Sequence, residues 1–322
     1  FALKGDNFDA HEFVGQAVEK GAAAVVVQKE IPKVSADATV IQVDDVLLAL
    51  QSFATFHRRR FHGKVVGLTG SNGKTTTKEI CATILQEKYS TYATQGNLNN
   101  HIGVPLTLLA LRESHKVAVV EMGMNHAGEI KTLVTIAEPD IVMVTNVGRA
   151  HIEAFGTIEN IAKAKEEIYE YAPLKATRIY NLDSTHTATM RARAPGDCKL
   201  LTYSSYAKDV DVSLKEKVFT FDYIDLQGVI AGEPGTARMH VFGRQQVSNA
   251  MAADCVAIAC GVEPPLIWKA LNKCKGTWGR GQMIDLDSGA KVLFDGYNAN
   301  PDSSILAFEN FSRLSARGKK YV

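Results

Sequence analysis

The residues 67–76 have the types and spacing that best suit chemistry in this chain. They read GLTGSNGKTT and join a strand-like run to a helix-like run. Glycines let backbone N–H groups turn toward phosphate oxygens, and the start of a helix adds positive potential. Lys74 is placed to reach the outer phosphates of a nucleotide, and the Thr75 hydroxyl to bind Mg²⁺. Leu68 stands where the strict P-loop pattern requires glycine, yet the strand–loop–helix context predicts a nucleotide-binding loop.

Two further polar residues follow strand-like runs. Glu121 ends the run VAVVE, and His151 comes shortly after DIVMVTNV. Because ligands of parallel sheets bind outside the carboxyl ends of the strands, we expect both side chains near Thr75. A carboxylate there suits the Mg²⁺ that bridges nucleotide phosphates, and the histidine indicates a second metal site. A capping carboxylate and a structural histidine are the alternatives that the residue types alone leave open.

Two loops are rich in amides and hydroxyls. They are residues 95–101 and residues 295–301. Such groups suit recognition of a polar, peptide-like or nucleotide ligand, although turns and helix caps use the same residue types. The candidate substrate-binding residues of these loops, with one from the segment after Glu121, are Asn97, Asn99, Asn100, His101, Asn125, Tyr297, Asn298 and Asn300.

The elements that must position these residues alternate between strands and helices over residues 63–276. This alternation predicts an α/β fold with a doubly wound, mostly parallel sheet. Runs such as KVVGLTG are apolar throughout, which is typical of strands covered on both faces. Between about residues 199 and 241 the runs are short and separated by glycine turns, which predicts an antiparallel patch. Residues 1–62 and 277–322 have the pattern of smaller flanking domains.

Composition excludes several classes of protein. The chain has 322 residues, 36 Lys plus Arg and 35 Asp plus Glu, so its net charge of +1 offers no basic surface for nucleic acid or an anionic membrane. Its apolar runs fall short of the ~18 residues that a membrane span needs.

Five cysteines without a CxxC pair indicate reduced thiols and a cytoplasmic protein. We expect a monomer. Since the first residue is Phe1 and the final KKYV has the pattern of a strand's beginning, we also expect a piece of a longer protein.

Six segments, in chain order, resemble the Mur ligase family. They are GLTGSNGKTT, GNLNNHIGVP, EMGMNHAGEI, TNVGRAHIEAFG, GRQQVSNAMAA and FDGYNANP. The last five are most similar to the members that join D-Ala-D-Ala to UDP-MurNAc-tripeptide. The resemblance covers the whole chain and implies three domains: a partial UDP-substrate domain over residues 1–62, a central ATP-binding P-loop domain over 63–276, and a partial Rossmann-like ligase domain over 277–322.

The resemblance also implies roles for individual residues. The positions that match the family's ATP site are Gly70, Ser71, Asn72, Gly73, Lys74, Thr75, Thr76, Asn249, Arg280 and Asp295. The positions that match its two Mg²⁺ sites are Thr75, Glu121, His151 and Lys165, and those implied in catalysis are Lys74, Glu121, His151, Lys165 and Arg280. Lys165 matches a lysine that is carbamylated in many members. Composition alone predicts a solvated helix face there, because Lys163, Glu166 and Glu167 surround it.

The implied reaction is ATP-driven amide ligation. The tripeptide carboxylate of UDP-MurNAc-tripeptide attacks the γ-phosphate of ATP, and the amine of D-Ala-D-Ala then attacks the acyl phosphate. The chain departs from the family's usual pattern at Gln245-Gln246, where His-Asn is common, and at Phe294 and Gly296, which replace Asp and Ser.

Three other functions remain alternatives: another Mur or folylpolyglutamate-type ligase, a P-loop kinase or GTPase, and a non-catalytic nucleotide-binding module. The third residue of the tripeptide, diaminopimelate or lysine, is also left open.

Overall fold

The structure is a computed structural model, and it describes residues 1–31, 38–314 and 318–321. Its first part is a small parallel pair of strands with short helices. These elements are a 3₁₀ turn (Ala10–Phe13), α1 (Val14–Glu19), β1 (Ala24–Val27), β2 (Thr39–Gln42) and the longer helix α2 (Val46–Arg60). The Asp45 side chain caps α2 by accepting a hydrogen bond from the N–H of Leu48, which is why the helix begins there.

Most strands of the described residues form one nine-stranded sheet. The strands are β3 (Lys64–Thr69), β4 (Thr91–Ala93), β5 (Val117–Glu121), β6 (Ile141–Val144), β7 (Thr177–Asn181), β8 (Leu200–Tyr203), β9 (Val212–Phe219), β10 (Ile224–Ile230) and β11 (Glu233–Met239). Their order across the sheet is β11-β10-β9-β8-β7-β6-β3-β5-β4, and neighbours from β4 to β9 run parallel. The predicted doubly wound, mostly parallel α/β sheet is confirmed. Since the chain leaves β3 toward both sides of the sheet, the carboxyl end of β3 is its topological switch point.

The prediction of an antiparallel patch over residues 199–241 is wrong for its first strand. β8 pairs in parallel with β7, and β9 joins β8 in parallel at the pair Tyr203 and Val212. The physical reason is the helix α8 (Thr185–Ala192), which lies between β7 and β8 and returns the chain for a parallel crossover. Within this sheet, β10 runs antiparallel to its two neighbours, β9 and β11.

Helices cover both faces of the parallel half of the sheet. They are α3 (Lys74–Leu85), α4 (Gly103–Leu109), α5 (Glu129–Ala137), α6 (Ile152–Phe155), α7 (Ile158–Glu170), α9 (Gln246–Cys260) and α10 (Pro264–Leu271). Alternation along β3 divides the core: Val66 and Leu68 pack with α3, α9 and α10, whereas Val65 packs with α4, α5 and α7. All three side chains are fully buried, and each such burial contributes about 1.5–3 kcal/mol.

Helix α2 packs on the large sheet's helical layer, against α4 and α5. Its Ala54 belongs to the same apolar cluster as Val65, and the Arg58 guanidinium lies 2.8 Å from the Asp140 carboxylate beside β6. The predicted domain boundary at residue 62 stays a prediction. Helix α2, which precedes this boundary, packs against α4 and α5, which follow it.

The last part of the chain forms an antiparallel pair and a helix. These elements are β12 (Gln282–Asp285), β13 (Lys291–Phe294) and α11 (Pro301–Arg313). Asn300 and Ser303 form a capping box that starts α11. The strand predicted for KKYV is wrong for residues 319–321, which lie in no strand, and Val322 lies outside the described residues. None of the helices within the described ranges has the length and apolar character to cross a bilayer.

Candidate nucleotide and metal site

A cavity of about 1080 Å³ lies at the carboxyl ends of β3, β5 and β6. The structure brings nearly all predicted site residues together in its wall. Those that line it are Ser71, Asn72, Gly73, Lys74, Thr75, Thr76, Asn97, Asn99, Asn100, His101, Glu121, Asn125, His151, Asn249, Arg280, Asp295, Tyr297, Asn298 and Asn300. Gly70 and Lys165 are outside the lining. Loops from distant parts of the sequence therefore meet at the switch point of the sheet, where ligands of this fold bind.

Close approach explains two glycines of the nucleotide loop. A Cβ on Gly70 would lie 1.9 Å from Thr145 Oγ1, and a Cβ on Gly73 would lie 2.4 Å from Asn249 Oδ1. Gly73 also has a φ of +81°, which L side chains rarely adopt. Glycine at these two places is therefore what lets the loop follow this path.

Lys74 is the first residue of α3, and its Nζ donates a hydrogen bond to the Gly70 carbonyl at 2.8 Å. The residue is half-buried and lines the cavity. Burial lowers the pKa of Lys74, the Glu121 carboxylate raises it, and Arg280 lowers it further. A cation held by one carbonyl beside the loop is well placed to exchange that partner for a phosphate oxygen.

The loop after β6 holds the nucleotide loop in place. Ser71 Oγ donates to the Gly148 carbonyl at 2.9 Å and accepts from the Gly148 N–H at 2.8 Å. The N–H of Asn72 donates to Asn146 Oδ1 at 2.9 Å. Sequence analysis missed Asn146, although its position directly after the strand-like DIVMVT was a signal. These contacts preorganise the loop before any ligand arrives.

Glu121 is the last residue of β5 and is 2% exposed. Its Oε1 accepts a hydrogen bond from Asn99 Nδ2 at 2.9 Å, and its backbone N–H donates to Thr94 Oγ1 at 3.0 Å. Its Oε2 is buried and has no hydrogen-bond partner within the part of the chain that the structure describes. An unpaired buried carboxylate oxygen is costly, so the arrangement suits a residue that binds a cation.

Lys165 is buried, so the solvated face predicted from composition is wrong. It lies on α7, is 2% exposed and falls four residues after Ile161 and three before Ile168, which are both in the core. Lys163 is the exposed lysine of this helix. The 3.6-residue spacing from the two isoleucines was the signal that identifies the buried face.

His151 adopts a φ of +64° just before α6 and faces the cavity. Burial, and then the ammonium of Lys74, lower the pKa of Lys165 well below its usual range. Burial, followed by Lys165 and Lys74, lowers the pKa of His151. A neutral amine and a neutral imidazole, as these shifts favour, are the forms in which nitrogen can react with CO₂ or bind a metal.

The C-terminal part of the chain contributes a cation and a carboxylate to the wall. The Arg280 guanidinium lies over the Tyr297 ring, 4.3 Å from its centre. Asp295 Oδ1 accepts a hydrogen bond from the N–H of Gly281 at 2.9 Å, which fixes Asp295 beside the residue that follows Arg280. Charges of opposite sign from this segment therefore face the nucleotide loop across the cavity.

Sequence analysis missed the contacts that hold the start of α11 against the nucleotide loop and the loop after β6. Asn300 Nδ2 donates to Asn72 Oδ1 at 2.6 Å, and Arg149 Nη2 lies 2.6 Å from Asp302 Oδ1. Arg149 and Asp302 carried no local signal, because the partners are far apart in sequence.

The two departures at the start of α9 make protein contacts. Gln245 Oε1 accepts a hydrogen bond from Asn310 Nδ2 on α11 at 2.8 Å. Gln246 Oε1 accepts from Asn249 Nδ2 at 2.7 Å, and Asn249 Oδ1 in turn accepts from Thr77 Oγ1 at 3.3 Å. Gln245 therefore connects α9 to α11, and Gln246 orients the asparagine that packs on Gly73.

The departures at Phe294 and Gly296 are one packing change. The Phe294 ring packs edge-on against Trp278 with centres 5.5 Å apart. A Cβ on Gly296 would lie 2.9 Å from Phe294 Cε2, so the glycine leaves room for the ring. The neighbouring Asp295 keeps its place in the cavity wall.

The amide-rich loop 95–101 divides its side chains between structure and cavity. Asn100 Oδ1 accepts from the N–H groups of Ile102 and Gly103 at 3.1 and 2.8 Å, which starts α4. The His101 carbonyl accepts from Gln51 Nε2 at 3.1 Å. Asn97 is exposed to the cavity. Substrate roles for these residues stay predictions.

The donor set fits Mg²⁺ held jointly by protein and nucleotide. Within the described ranges, no three His, Cys, Asp or Glu side chains cluster closely enough to hold a metal ion by themselves. Mg²⁺ commonly takes one or two protein oxygens and completes its shell with phosphates and water. The Thr75 hydroxyl and the unpaired Oε2 of Glu121, both in one wall, are ligands of this kind.

Comparison with known proteins agrees with the geometry. Residues 68–257 match the model of the Mur ligase middle domain. The UDP-N-acetylmuramoyl-tripeptide–D-alanyl-D-alanine ligase of Bacillus subtilis is 38% identical over 99% of this chain and 68% of its own length. A crystal structure of MurF from Acinetobacter baumannii has a TM-score of 0.90 and 35% identity, covering 98% of this chain and 68% of that one.

A further solved structure is a MurF ligase from Thermotoga maritima in complex with ADP. It has a TM-score of 0.85 and 30% identity, covering 97% of this chain and 71% of that one. With its nucleotide loop, its buried glutamate and the ordered segments that the sequence resemblance identified, this chain belongs to the Mur ligase family.

Proposed function

We propose that this protein is an ATP-dependent amide ligase that joins D-Ala-D-Ala to UDP-MurNAc-tripeptide in peptidoglycan precursor synthesis. The observation that carries the proposal is the convergence of a nucleotide loop, a buried carboxylate with a free oxygen and a C-terminal arginine on one cavity. The relatives whose names state this activity support it, because they align with nearly the whole chain.

Charge neutralisation is the main requirement of the first step. The tripeptide carboxylate and the γ-phosphate of ATP are both anions, and the carboxylate must attack phosphorus to give an acyl phosphate and ADP. Lys74 and Arg280 face the same cavity and would offset the charge that builds on the transferred phosphoryl group. The N–H groups of the nucleotide loop that are not bonded to Asn146 would hold the remaining phosphates.

The proposal includes two metal positions. Thr75 and Glu121 would hold one Mg²⁺, and His151 with a carbamylated Lys165 would hold a second. When bound, these ions supply positive charge to the phosphate oxygens. Lys165 lies behind the wall, and its lowered pKa favours the neutral amine that carbamylation needs.

The second step needs a dry site, because water would hydrolyse the acyl phosphate. The amine of D-Ala-D-Ala attacks the acyl carbon, a new amide forms, and inorganic phosphate leaves. The C-terminal segment, held to the nucleotide loop through Asn300 and to the loop after β6 through Asp302, would keep water out. Asn97, Asn125, Tyr297 and Asn298 would bind the substrates.

The division of labour along the chain is part of the proposal. Residues 1–62 would bind the UDP end of the substrate, residues 63–276 would bind ATP, and residues 277–322 would belong to the closing ligase domain. We also propose that the protein acts as a monomer in the cytoplasm.

Phosphate release from ATP tests the proposal. The purified protein is assayed with UDP-MurNAc-tripeptide containing either diaminopimelate or lysine, with and without D-Ala-D-Ala, and the product mass is measured. Release that requires both substrates, with a pentapeptide product, is expected. Release indifferent to the dipeptide would indicate an NTPase or another acceptor, and ATP binding without release would indicate a non-catalytic module. Lys74→Ala is the control and should abolish turnover.

A further inference from the structure

The two carboxylate oxygens of Glu121 have different surroundings. Oε1 accepts a hydrogen bond from Asn99 Nδ2 at 2.9 Å, whereas Oε2 is buried and has no partner among the residues described. The side chain is 2% exposed and ends a strand whose five residues are all buried. One oxygen is therefore fixed by the protein, and the other is left for something that enters the cavity.

Asn99 holds the end of β5 through its backbone as well as its side chain. Its carbonyl accepts a hydrogen bond from the N–H of Gly123 at 2.7 Å, two residues beyond Glu121. A Cβ on Gly123 would lie 3.0 Å from Asn99 Oδ1, so the amide also packs directly on this backbone. Asn99 thus contacts the chain on both sides of Met122, through the Glu121 side chain and the Gly123 backbone.

An amide is suited to this task in a way that a cation is not. Asn99 offers a neutral N–H donor, which fixes the orientation of the Glu121 carboxylate and leaves its negative charge available. A lysine or arginine there would neutralise that charge and compete with an incoming metal ion. Groups that orient a ligating carboxylate in this manner tune the affinity of a metal site.

We propose that Asn99 is a positioning residue that holds Glu121 so that Oε2 alone is presented to the divalent cation of the nucleotide. The inference rests on the proposed function only in assigning Glu121 to that cation. It gives Asn99 a role other than direct substrate binding, because its side-chain donor is already engaged by Glu121.

The loop offers a matched control. Asn97 lies two residues earlier, lines the same cavity and is exposed, whereas Asn99 is partly buried. Removing the Asn97 side chain therefore changes the loop's composition by the same amount without touching Glu121.

Mn²⁺ binding tests the proposal without turnover. Mn²⁺ replaces Mg²⁺, and its affinity is measured by electron paramagnetic resonance with a non-hydrolysable ATP analogue and neither UDP-sugar nor D-Ala-D-Ala. Asn99→Ala is expected to weaken Mn²⁺ binding about 10–100-fold, and Asn97→Ala to leave it unchanged. In a Glu121→Ala background, Asn99→Ala should have no further effect, since an interaction through one carboxylate cannot be lost twice.

Other outcomes would overturn the proposal. Parental Mn²⁺ affinity in Asn99→Ala, with a raised KM for UDP-MurNAc-tripeptide, would make Asn99 a substrate ligand. An equal loss in the Glu121→Ala background would make its role structural. If Asn99→Ala fails to fold, Asn99→Ser is measured in its place, because a serine side chain is too short to reach Glu121 Oε1. A failure of the proposed function is distinguishable, because it would show normal Mn²⁺–nucleotide binding and no ligated product.

Discussion

Arg149 and Asp302, 153 residues apart, join the loop after β6 to the first turn of α11 through both main chain and side chain. The N–H of Arg149 donates to Asp302 Oδ2 at 2.7 Å, and its Nε donates to Oδ1 at 2.8 Å. Burial raises the pKa of Asp302, but the hydrogen bonds from Arg149 outweigh it and lower the pKa below its usual value. A Cβ on Gly148 would lie 2.7 Å from Asp302 Oδ2. The Asp302 carboxylate therefore packs closely on Gly148, which is itself hydrogen-bonded to Ser71 of the nucleotide loop.

Removing the charge of Asp302 should loosen the C-terminal segment. Asp302→Asn is expected to raise the KM for ATP several-fold, because one face of the closed cavity is then held less firmly. Adding Arg149→Gln should change little more, since both substitutions break the same pair. The measurement is a double-mutant cycle on steady-state kinetics. Arg193→Gln, which breaks an exposed pair with Glu166 outside the cavity, is the control; additive effects at 149 and 302 would contradict the coupling.

Gly73→Ala should weaken ATP binding. The new methyl group would meet Asn249 Oδ1 at 2.4 Å, and the backbone strain at a φ of +81° adds about 1–3 kcal/mol. We expect ATP affinity to fall at least about tenfold, measured by calorimetry. Gly96→Ala is the matched control, because Gly96 also has a positive φ, +54°, but nothing lies within 4 Å of its Cβ position. Equal effects of the two substitutions would show that contact with Asn249 is irrelevant.

Lys165→Ala should lower ligation about 10–100-fold, as removal of a metal-site group typically does. The buried amine, with its pKa well below the usual range, is expected to bind CO₂. Enzyme supplied with ¹³C-bicarbonate should show a carbamate carbon by NMR in the parent and in Lys163→Ala, the exposed control on the same helix. Unchanged turnover in Lys165→Ala, or a carbamate signal that survives it, would remove the assignment.

Asp254 should make the protein less stable as pH rises. It lies on α9, is fully buried, and neither carboxyl oxygen has a hydrogen-bond partner among the described residues. Burial raises its pKa well above the usual value, so the native state keeps a proton that the unfolded chain releases above pH ~4. Stability contributed by this group is therefore full below about pH 4 and is lost at about 1.4 kcal/mol per pH unit above it.

Urea unfolding from pH 5 to pH 8 tests this expectation. Asp254→Asn should become progressively more stable than the parent as pH rises, because an amide releases no proton in the unfolded state. Asp197→Asn, at an exposed aspartate, should follow the parent at every pH. Parallel curves for the parent and Asp254→Asn would show that Asp254 is ionised in the native protein.

Local patterns predicted the parts of the site that follow single strands or start single helices. Glu121 was found because a carboxylate directly after a buried run lies at the ligand-binding edge of a parallel sheet. Lys165 was singled out only through family resemblance, although its spacing from Ile161 and Ile168 indicated a buried position. The composition of its neighbours outweighed that spacing, which is why the face was misassigned.

Long-range contacts had no such pattern. The amide side chains of Gln245 and Asn310 join α9 to α11. No local sequence rule relates an amide at the start of one helix to a second amide 65 positions later in another helix. The direction of β8 failed for a related reason. A four-residue run with alternating burial is compatible with either pairing, and the deciding element was the neighbouring helix α8.

The central position of β3 has a consequence for the protein's synthesis. β3 pairs with β5 and β6, and the registers Lys64–Val117 and Val66–Ile141 show that both partners leave the ribosome later than β3 itself. At roughly 5–20 residues per second, this apolar strand waits several seconds for its first neighbour. During that interval it is an unpaired, aggregation-prone segment next to its glycine-rich turn. A nascent chain that has not yet reached β5 therefore exposes this strand, and the nucleotide-binding edge cannot assemble before β6 is translated.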